Sequence, residues 1–391
     1  MATIIGGFTP PHLEAKNHII GSLEDDIIFG DPYTEGNSFD ITEPGGILSS
    51  GSGGKDWLEG VAGFNFLIGD AAQITGTGRG GNDRIQGGDG TDIIYGDAEV
   101  GMSGDARGGN DLLDGGDGSD SIVGDVTSEM HDDARGGNDR MLGGDEDDFL
   151  WGDSGSTMNG NVRGGNDQIQ GDAGDDRAFG DGTQLLGNAR GGNDLISGGA
   201  GNDTLHGDAN DMFENAVGGK DRIFGDDGND LLIGDSESLG GAATGGDDQL
   251  DGGDGDDELY GDAKGIFLPD GAQLGDDILI GGTGDDLLFG DANPSFSDFT
   301  NVTRGADRFV LATGSGKDTI GDFETGQDLI DIKKGYKAIK GFDQITDNAE
   351  EIDGSTVIDL GAAAGGTAGV DTLTLTGIVL ADLTAADFGL R

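Results

Sequence analysis

Two apolar positions recur along the chain at a nearly constant interval. The first series is Ile85, Leu113, Met141, Ile169, Ile196, Ile223, Leu250 and Leu279. The second is Ile94, Ile122, Leu150, Ala178, Leu205, Leu232, Leu259 and Leu288. Successive members of each series are 27 to 29 residues apart, with polar or mixed neighbours on either side. This alternation predicts two short strands per repeat, each with one buried face, and the fixed period predicts that the repeats stack as coils.

A third apolar series lies in the remaining segment of each repeat. It consists of Met102, Met130, Met158, Leu186, Phe213, Phe267 and Phe296, with Leu239 one position early. A disordered insertion would not keep an apolar residue in phase, so this segment is predicted to pack from one repeat to the next. The pattern leaves two arrangements open: a coil with three short faces, or a coil with two faces and an ordered side arm.

Glycine and aspartate dominate the turns between these segments. The 83 glycines among 391 residues lack the strict every-third-residue spacing of collagen. They favour tight turns with positive φ, and together with the aspartates they disfavour helix. We therefore predict an all-β fold, a right-handed parallel β-solenoid (β-roll or β-helix) of 27–28-residue coils with a β-rich C-terminal cap. About ten coils would form a rod roughly 50 Å long.

The two ends of the chain depart from the repeat. Residues 17–31 are interpreted as a degenerate coil, and the coil at Asp56 has Asn65 at the second aspartate position. After about Pro294, segments at residues 304–310, 316–323 and 326–332 are predicted as final, broader strands, and the alternation in 369–391 predicts a further one. The expected organisation is an N-terminal cap (1–17), a repeat solenoid (18–298) and a closing segment (299–391).

Aspartates recur with the same period as the apolar residues. One series is Asp83, Asp111, Asp139, Asp167, Asp194, Asp221, Asp248 and Asp277. A second is Asp92, Asp120, Asp148, Asp176, Asp203, Asp230, Asp257 and Asp286. A third is Asp97, Asp125, Asp153, Asp181, Asp208, Asp235, Asp262 and Asp291. Stacking turns each series into a column of carboxylates about 5 Å apart, whose repulsion of roughly 1 kcal/mol per pair in water grows at lower dielectric.

A divalent cation between coils would convert this repulsion into attraction, and calcium is the best candidate. Calcium accepts six to eight oxygen ligands in flexible geometry, whereas magnesium demands a tighter octahedron. Zinc prefers cysteine or clustered histidine, and the chain has no cysteine and four scattered histidines. The aspartate columns therefore predict multiple Ca²⁺ ions.

Composition excludes several classes of partner. A formal net charge of -56 argues against nucleic acid and anionic membranes as ligands. The sequence has no apolar stretch of 18 residues, so no transmembrane segment is expected, and residues 1–16 lack the pattern of a cleaved signal peptide. These features are consistent with a cytosolic protein or with one exported without a cleaved signal.

The segments Gly87-Gly-Asp-Gly-Thr-Asp92 and Gly115-Gly-Asp-Gly-Ser-Asp120, with the apolar residues that follow, resemble the nonapeptide of RTX (haemolysin-type) calcium-binding repeats. The resemblance covers roughly residues 18 to 332, and the C-terminal part is similar to the closing segment of serralysin-type RTX modules. It implies that the aspartates and turn carbonyls of one coil share calcium with the next coil. By position, the implied ligands are the second aspartate series, the first series on the opposite turn, and the turn glycines Gly87, Gly88, Gly90, Gly115, Gly116 and Gly118.

The chain departs from the RTX pattern in two ways. The family's coil is two nonapeptides, whereas a third segment intervenes here. Arginine also replaces a usual glycine at Arg79, Arg107, Arg135, Arg163 and Arg190. Two interpretations of the third aspartate series stay open: it forms a salt-bridge ladder with these arginines, or it binds calcium.

The resemblance implies a secreted, extracellular protein exported by a type I ABC apparatus that recognises an uncleaved C-terminal signal, here within 383–391. The leading hypothesis is a non-enzymatic calcium-binding protein that folds on calcium binding after export. One alternative is a cell-surface or matrix adhesin, or an S-layer-like component, that binds polysaccharide. Exposed aromatic residues in a row would support it, but Trp57 and Trp151 look isolated. A toxin or enzyme accessory module is the other alternative.

Overall fold

A computed structural model describes residues 2–5, 18–20, 26–29, 47–332 and 336–390 of the chain. Within these ranges the protein is a parallel β-solenoid of about ten coils, with very little helix. Each complete coil contributes one strand to each of three sheets, and equivalent residues of neighbouring coils pair in register. The predicted fold class is therefore confirmed.

The first sheet follows the first aspartate of each repeat and is called sheet I. Its described strands are His18–Ile20, Trp57–Ala62, Arg84–Asp89, Leu112–Asp117, Arg140–Asp145, Gln168–Ala173, Leu195–Ala200, Arg222–Asp227, Gln249–Asp254, Ile278–Thr283, Arg308–Val310 and Leu329–Asp331.

The second sheet, sheet II, follows the second aspartate. Its described parallel strands are Ala2–Ile5, Asp26–Phe29, Asn65–Ile68, Ile93–Tyr95, Ser121–Val123, Phe149–Trp151, Arg177–Phe179, Thr204–His206, Leu231–Ile233, Glu258–Tyr260, Leu287–Phe289, Lys317–Ile320 and Thr372–Leu375. All members of the first two apolar series are buried between sheets I and II, where they form the main core. Both predicted core series are thus confirmed.

The third segment of each repeat forms sheet III. Its described strands are Ile47–Ser52, Ala71–Arg79, Ala98–Met102, Glu129–Asp132, Ser154–Gly160, Gly182–Gly187, Ala209–Met212, Ser236–Gly241 and Ala263–Pro269. These strands bury side chains in cores of their own, separate from the main core. The coil therefore has three strands, and the third belongs to a side lobe.

The apolar register predicted for the side lobe is wrong in the later coils. Met102, Met130 and Met158 are buried as expected. After the repeat shortens to 27 residues, the buried positions are Leu185, Met212, Leu239 and Ile266, which pair in register down the sheet. Leu239 is therefore in phase, whereas Leu186 and Phe213 are half-buried and Phe267 and Phe296 are exposed. One residue is lost within the strand Gly182–Gly187, between the pairing of Ser154 with Gly182 and that of Thr157 with Gln184, and this loss shifts which neighbour points inward.

The N-terminal coil joins the solenoid through the strands that are described. His18–Ile20 pairs with Trp57–Glu59 of sheet I, and Asp26–Phe29 pairs with Asn65–Ile68 of sheet II. The rest of the predicted coil at 17–31 lies outside the described residues.

The closing segment ends the parallel stack by switching to antiparallel pairing. Thr372–Leu375 pairs parallel with Lys317–Ile320 on one side and antiparallel with Ser355–Asp359 on the other. Ser355–Asp359 then pairs antiparallel with Ala349–Ile352. The described part of this segment also has short α-helices at Phe342–Thr346 and Leu360–Ala363, and 3-10 turns at Leu380–Asp382 and Ala385–Asp387.

The closing strands are present, but they are broader than the repeat strands only in sheet II. Lys317–Ile320 has four residues where a repeat strand of sheet II has three. Arg308–Val310 and Leu329–Asp331 have three residues each, whereas a typical sheet I strand has six, because the glycine-rich continuation of the sheet I repeat strands is missing here. The strand predicted from the alternation near Leu373 is confirmed, with Leu373 and Leu375 buried.

Candidate metal centre

The corner between sheets I and II is built by the Gly-Gly-x-Gly-x-Asp sequence. Gly88 and Gly90 have φ of 105° and 115°, and their equivalents Gly116 and Gly118 have φ of 108° and 122°. Residues with a Cβ rarely adopt this conformation. The turn therefore needs glycine at these positions, and it delivers the second aspartate of each repeat to the inside of the corner.

The second aspartate column is buried and only half satisfied by hydrogen bonds. The Oδ1 atom of each aspartate accepts a hydrogen bond from the backbone N–H of the equivalent residue one coil earlier, at 2.7–3.0 Å. The Oδ2 atoms of all eight are buried without a hydrogen-bond partner. A buried carboxylate oxygen left in this way is costly unless a cation or proton balances it.

The first aspartate column, on the opposite side of sheet I, repeats this geometry. Its Oδ1 atoms accept backbone N–H hydrogen bonds from the preceding coil at 2.7–2.8 Å. Its eight Oδ2 atoms are likewise buried without a partner. All sixteen aspartates predicted from the sequence as metal ligands therefore present one free, inward carboxylate oxygen.

Backbone carbonyls approach these free oxygens. A methyl group added at Gly87 would collide with both Oδ2 of Asp92 and the carbonyl oxygen of Gly115 in the next coil. One added at Gly96 would collide with Oδ2 of Asp111 and the carbonyl oxygen of Gly124. Glycine at these positions thus leaves space beside a carboxylate oxygen and a carbonyl oxygen from a neighbouring coil.

Burial raises the pKa of these carboxyl groups. The pKa of Asp92 rises to about 6, that of Asp120 to about 7 and that of Asp148 to about 8, chiefly through desolvation. In the first column, burial raises the pKa of Asp111 to about 7. For Asp139, burial and then the charge of Asp111 raise the pKa well above its ordinary value. The protein without a cation therefore holds its charged carboxylates at an energetic cost near neutral pH.

The third aspartate column lies beside the first. Asp97 accepts a hydrogen bond from the N–H of Gly109 at 2.8 Å, and its neighbours down the column make equivalent bonds at 2.7–2.9 Å. These bonds tie together the two ends of the side lobe. Burial, followed by the charges of Asp111 and Asp125, raises the pKa of Asp97 well above its ordinary value. The sequence period did not reveal that these two columns meet.

The salt-bridge interpretation of the third column is wrong for the described residues. Asp97, Asp125 and their equivalents are fully buried, whereas the five column arginines are exposed and form no ion pair with them. Near the closing segment, Arg304 approaches Asp291 at 3.5 Å, but this arginine lies outside the column. Some carboxylate oxygens of the third column, such as Oδ1 of Asp97, are also without a partner.

The donor set fits a hard cation bound jointly by side chains and backbone. Among the described residues, no three His, Cys, Asp or Glu side chains converge into one metal-binding cluster. The carboxylates instead come singly from successive coils, each with glycine carbonyls close by. Hard oxygen donors of this mixed kind suit calcium rather than zinc or a softer metal.

The sequence analysis did not predict a row of stacked aromatic rings along sheet II. Trp151 is not isolated, because its ring stacks between Phe149 and Phe179 at 6.0 Å from each, and His206 stacks on Phe179 at 4.6 Å. Phe179 and His206 are buried, and burial lowers the pKa of His206 to about 3. Phe149 is exposed and Trp151 is half-buried, so only one end of the row reaches the surface.

Comparison with known families identifies the class of protein. The model of the RTX calcium-binding nonapeptide repeat matches nine segments, residues 50–72, 75–99, 105–126, 133–156, 162–183, 188–211, 216–237, 242–263 and 272–293. Together they cover more than half of the chain, and they coincide with the glycine-aspartate corners described above. The chain therefore belongs to the RTX calcium-binding repeat family, as the sequence predicted.

Matches beyond the family are distant. No curated protein matches the chain. Among solved structures, the extracellular lipase LipA from Serratia marcescens is similar at 17% sequence identity with a TM-score of 0.24. The alignment covers 70% of this chain and 45% of the lipase, so the chain spans less than half the length of that relative. None of the helices in the described ranges is long and apolar enough to cross a membrane.

Proposed function

We propose that this is a secreted, non-enzymatic calcium-binding protein whose solenoid folds when calcium binds after export. The observation that carries the proposal is the set of sixteen buried aspartates whose Oδ2 atoms lack a partner. A fold that buries so many half-satisfied carboxylates is unstable at neutral pH without a counter-charge. Membership of the RTX calcium-binding repeat family points to Ca²⁺ as that counter-charge.

The residues that would hold calcium are the aspartates of the first and second columns, together with glycine carbonyls of the turns. Each Oδ1 atom is already fixed by a backbone N–H of the neighbouring coil, so the carboxylate plane is oriented before the ion arrives. Bound calcium would supply positive charge between coils. The columns repeat along the solenoid, so we propose many ions per chain rather than one.

Folding and calcium binding are coupled in this proposal. The unfolded chain exposes its carboxylates to water and does not form the corner, so calcium binds mainly to the folded state and stabilises it by mass action. Cytoplasmic calcium is scarce, which would keep the chain unfolded and able to pass through a secretion channel. Calcium outside the cell would then drive folding.

We propose that a type I ABC apparatus exports the chain and that it recognises a signal within residues 383–391. In the folded protein this segment lies against the solenoid: Leu383 and Phe388 are buried, and Phe388 pairs with Ile330. Such a signal would be readable only before folding. Deleting residues 332–391 should abolish export in a host that carries the apparatus, and unchanged export would contradict this assignment.

The central experiment is a calcium titration of the purified protein, followed by far-UV circular dichroism and hydrodynamic radius. We expect a cooperative gain of β signal and compaction with calcium, and neither with magnesium at equal concentration. A chain that is already folded in excess chelator would contradict calcium-gated folding. Hydrolase and protease substrate panels on the calcium-loaded protein test the non-enzymatic part, since any turnover above a heat-denatured control would contradict it.

A further inference from the structure

One surface feature of the solenoid lies outside the aspartate columns that we propose as the calcium site. Arg79, Arg107, Arg135, Arg163 and Arg190 are exposed and stand directly above one another, because their backbones pair in register from coil to coil. We call these five residues the arginine stripe. At the usual strand spacing of about 4.8 Å, the stripe is about 19 Å long and one side chain wide.

The guanidinium groups of the stripe have no partner in the protein. Within the described residues, none of the five forms an ion pair or a side-chain hydrogen bond, although the chain carries 77 acidic residues. Arg304 provides a contrast, since it contacts both Asp291 and Glu324. Five like charges stacked in this way repel one another, and within the described ranges no contact of these side chains stabilises the fold.

The later coils show that the fold does not need arginine here. The same column continues through Val217, Thr244 and Gln273, which occupy the equivalent backbone position. The buried contacts beneath it are unchanged: Gly219 N–H bonds Asp208 at 2.9 Å and Gly246 N–H bonds Asp235 at 2.7 Å. Coils with and without arginine therefore share one architecture, and the arginines require another explanation.

Amide side chains run beside part of the arginine stripe on each side. Asn110, Asn138, Asn166 and Asn193 form one hydrogen-bonded ladder, with Nδ2 to Oδ1 distances of 2.9–3.0 Å. Asn161, Asn188 and Asn215 form a second ladder at 3.2–3.3 Å, which ends on the carboxylate of Asp133, where Oδ1 accepts from Asn161 Nδ2 at 3.0 Å. Grooves of about 350 and 370 Å³ lie between these ladders and the arginines. Asp133 is the one acidic side chain lining them among the described residues.

We propose that the arginine stripe binds a linear acidic polysaccharide that carries carboxylates on successive sugars. Guanidinium groups recognise carboxylates in a planar, bidentate manner, and the flanking amides can exchange hydrogen bonds with sugar hydroxyls. A stripe one residue wide on a chain of net charge -56 favours a thin ligand, because a membrane or a duplex would also meet the surrounding acidic surface. The grooves offer none of the aromatic platforms that single-stranded nucleic acid uses, among the residues that line them.

The test measures binding of the calcium-loaded protein to polygalacturonate at low salt, by affinity electrophoresis and titration calorimetry, with neutral dextran as the control polymer. The test variant is Arg135→Gln/Arg163→Gln, since glutamine already stands in this column at Gln273. The matched control is Arg140→Gln/Arg222→Gln, which removes two exposed arginines from sheet I. Both variants have the same net charge.

We expect the wild-type protein and the control variant to bind polygalacturonate with similar affinity, and the stripe variant to bind about five- to tenfold more weakly. Val217→Arg/Thr244→Arg, which lengthens the stripe by two coils, should bind more tightly than the wild type. The proposal is overturned by no binding of the folded wild type, by equal losses in both glutamine variants, or by tighter binding of single-stranded DNA than of polygalacturonate. Equal circular dichroism and calcium midpoints in all variants show that folding is unaffected.

Discussion

The repeats and the closing segment differ in how many hydrogen bonds their buried carboxylates accept. In the repeats, each aspartate of the first two columns uses Oδ1 to accept one backbone hydrogen bond and leaves Oδ2 buried without a partner. In the closing segment, Asp322 accepts N–H bonds on both oxygens, from Gly290 and from Asp291. Asp328 does the same, accepting from Asp307 and Glu324.

Further into the closing segment the same pattern holds at helix termini. Asp359, which is half-buried, accepts from the N–H groups of Ala362 and Gly369, at 2.7 and 2.9 Å. Asp387 accepts from Gly326 on one oxygen and from Thr384 on the other. Asp371 departs from the pattern, because its Oδ1 is buried without a partner.

The difference indicates where the proposed calcium dependence would reside. The closing segment satisfies most of its buried acids with its own backbone, and it joins the main core through residues such as Ile345, Ile358 and Leu373. The repeats leave one oxygen per corner for an external cation. We therefore expect calcium to decide the folding of the repeats and to matter much less for the closing segment.

The largest expected effect is that of calcium removal on the repeats alone. In excess chelator, backbone amides in strands between residues 57 and 289 should lose hydrogen-exchange protection by about a thousandfold or more, because the columns repel one another. Amides of 355–359 and 372–375 should keep most of theirs. Exchange measured by mass spectrometry on the full chain, with and without calcium, checks this, and equal loss in both regions would contradict the comparison.

The sequence predicted only part of this contrast between the repeats and the closing segment. The fixed period of aspartates such as Asp92 and Asp120 predicted the columns, because stacking in register follows from repetition alone. The same logic could not show that Asp97 faces Asp111, since that contact depends on how the side lobe closes through Gly109. Pairing of the arginines with the third aspartate series was one of two interpretations left open because the two series share a period, but a shared period does not place two side chains on the same side of the backbone.

Acidification should partly replace calcium in the repeats. The folded-state pKa values of Asp92, Asp120 and Asp148 are raised from 3.8 to about 6, 7 and 8. Stability from protonating these groups is therefore fully present below about pH 3.8 and is lost as the pH rises through 6 to 8. The calcium-free protein should gain β signal and compact between about pH 8 and pH 5, as seen by circular dichroism and light scattering. A chelated protein that unfolds further on acidification would contradict this.

A smaller difference is expected between two adjacent residues of the side lobe, in how much their truncation to alanine lowers the free energy of unfolding. Leu185 is fully buried in the side-lobe core, whereas Leu186 is half-buried. Leu185→Ala should reduce the stability of the calcium-loaded protein by about 2–5 kcal/mol, because it leaves a cavity. Leu186→Ala should cost under about 1 kcal/mol. Urea unfolding followed by circular dichroism compares them, and the reverse order would restore the register expected from the sequence.

The smallest expected effect is the difference between replacing a buried aspartate of the second column and replacing an exposed aspartate of the same turn. Asp148→Asn keeps an oxygen that can accept the N–H of Asp120 but removes one buried charge. The geometry tolerates this change, because Asn65 occupies the equivalent position in an earlier coil and is buried. Asp145→Asn removes one exposed charge from the same turn and serves as the control.

We expect Asp148→Asn to bind fewer calcium ions per chain and to lose about 1–3 kcal/mol of calcium-loaded stability. The chelated form of this variant should be slightly more compact than that of the wild type, because one repulsive charge is gone from the column. Asp145→Asn should leave both the stoichiometry and the stability unchanged. Calorimetric titration with calcium compares the two variants, and equal stoichiometries would mean that the second column does not bind the ion.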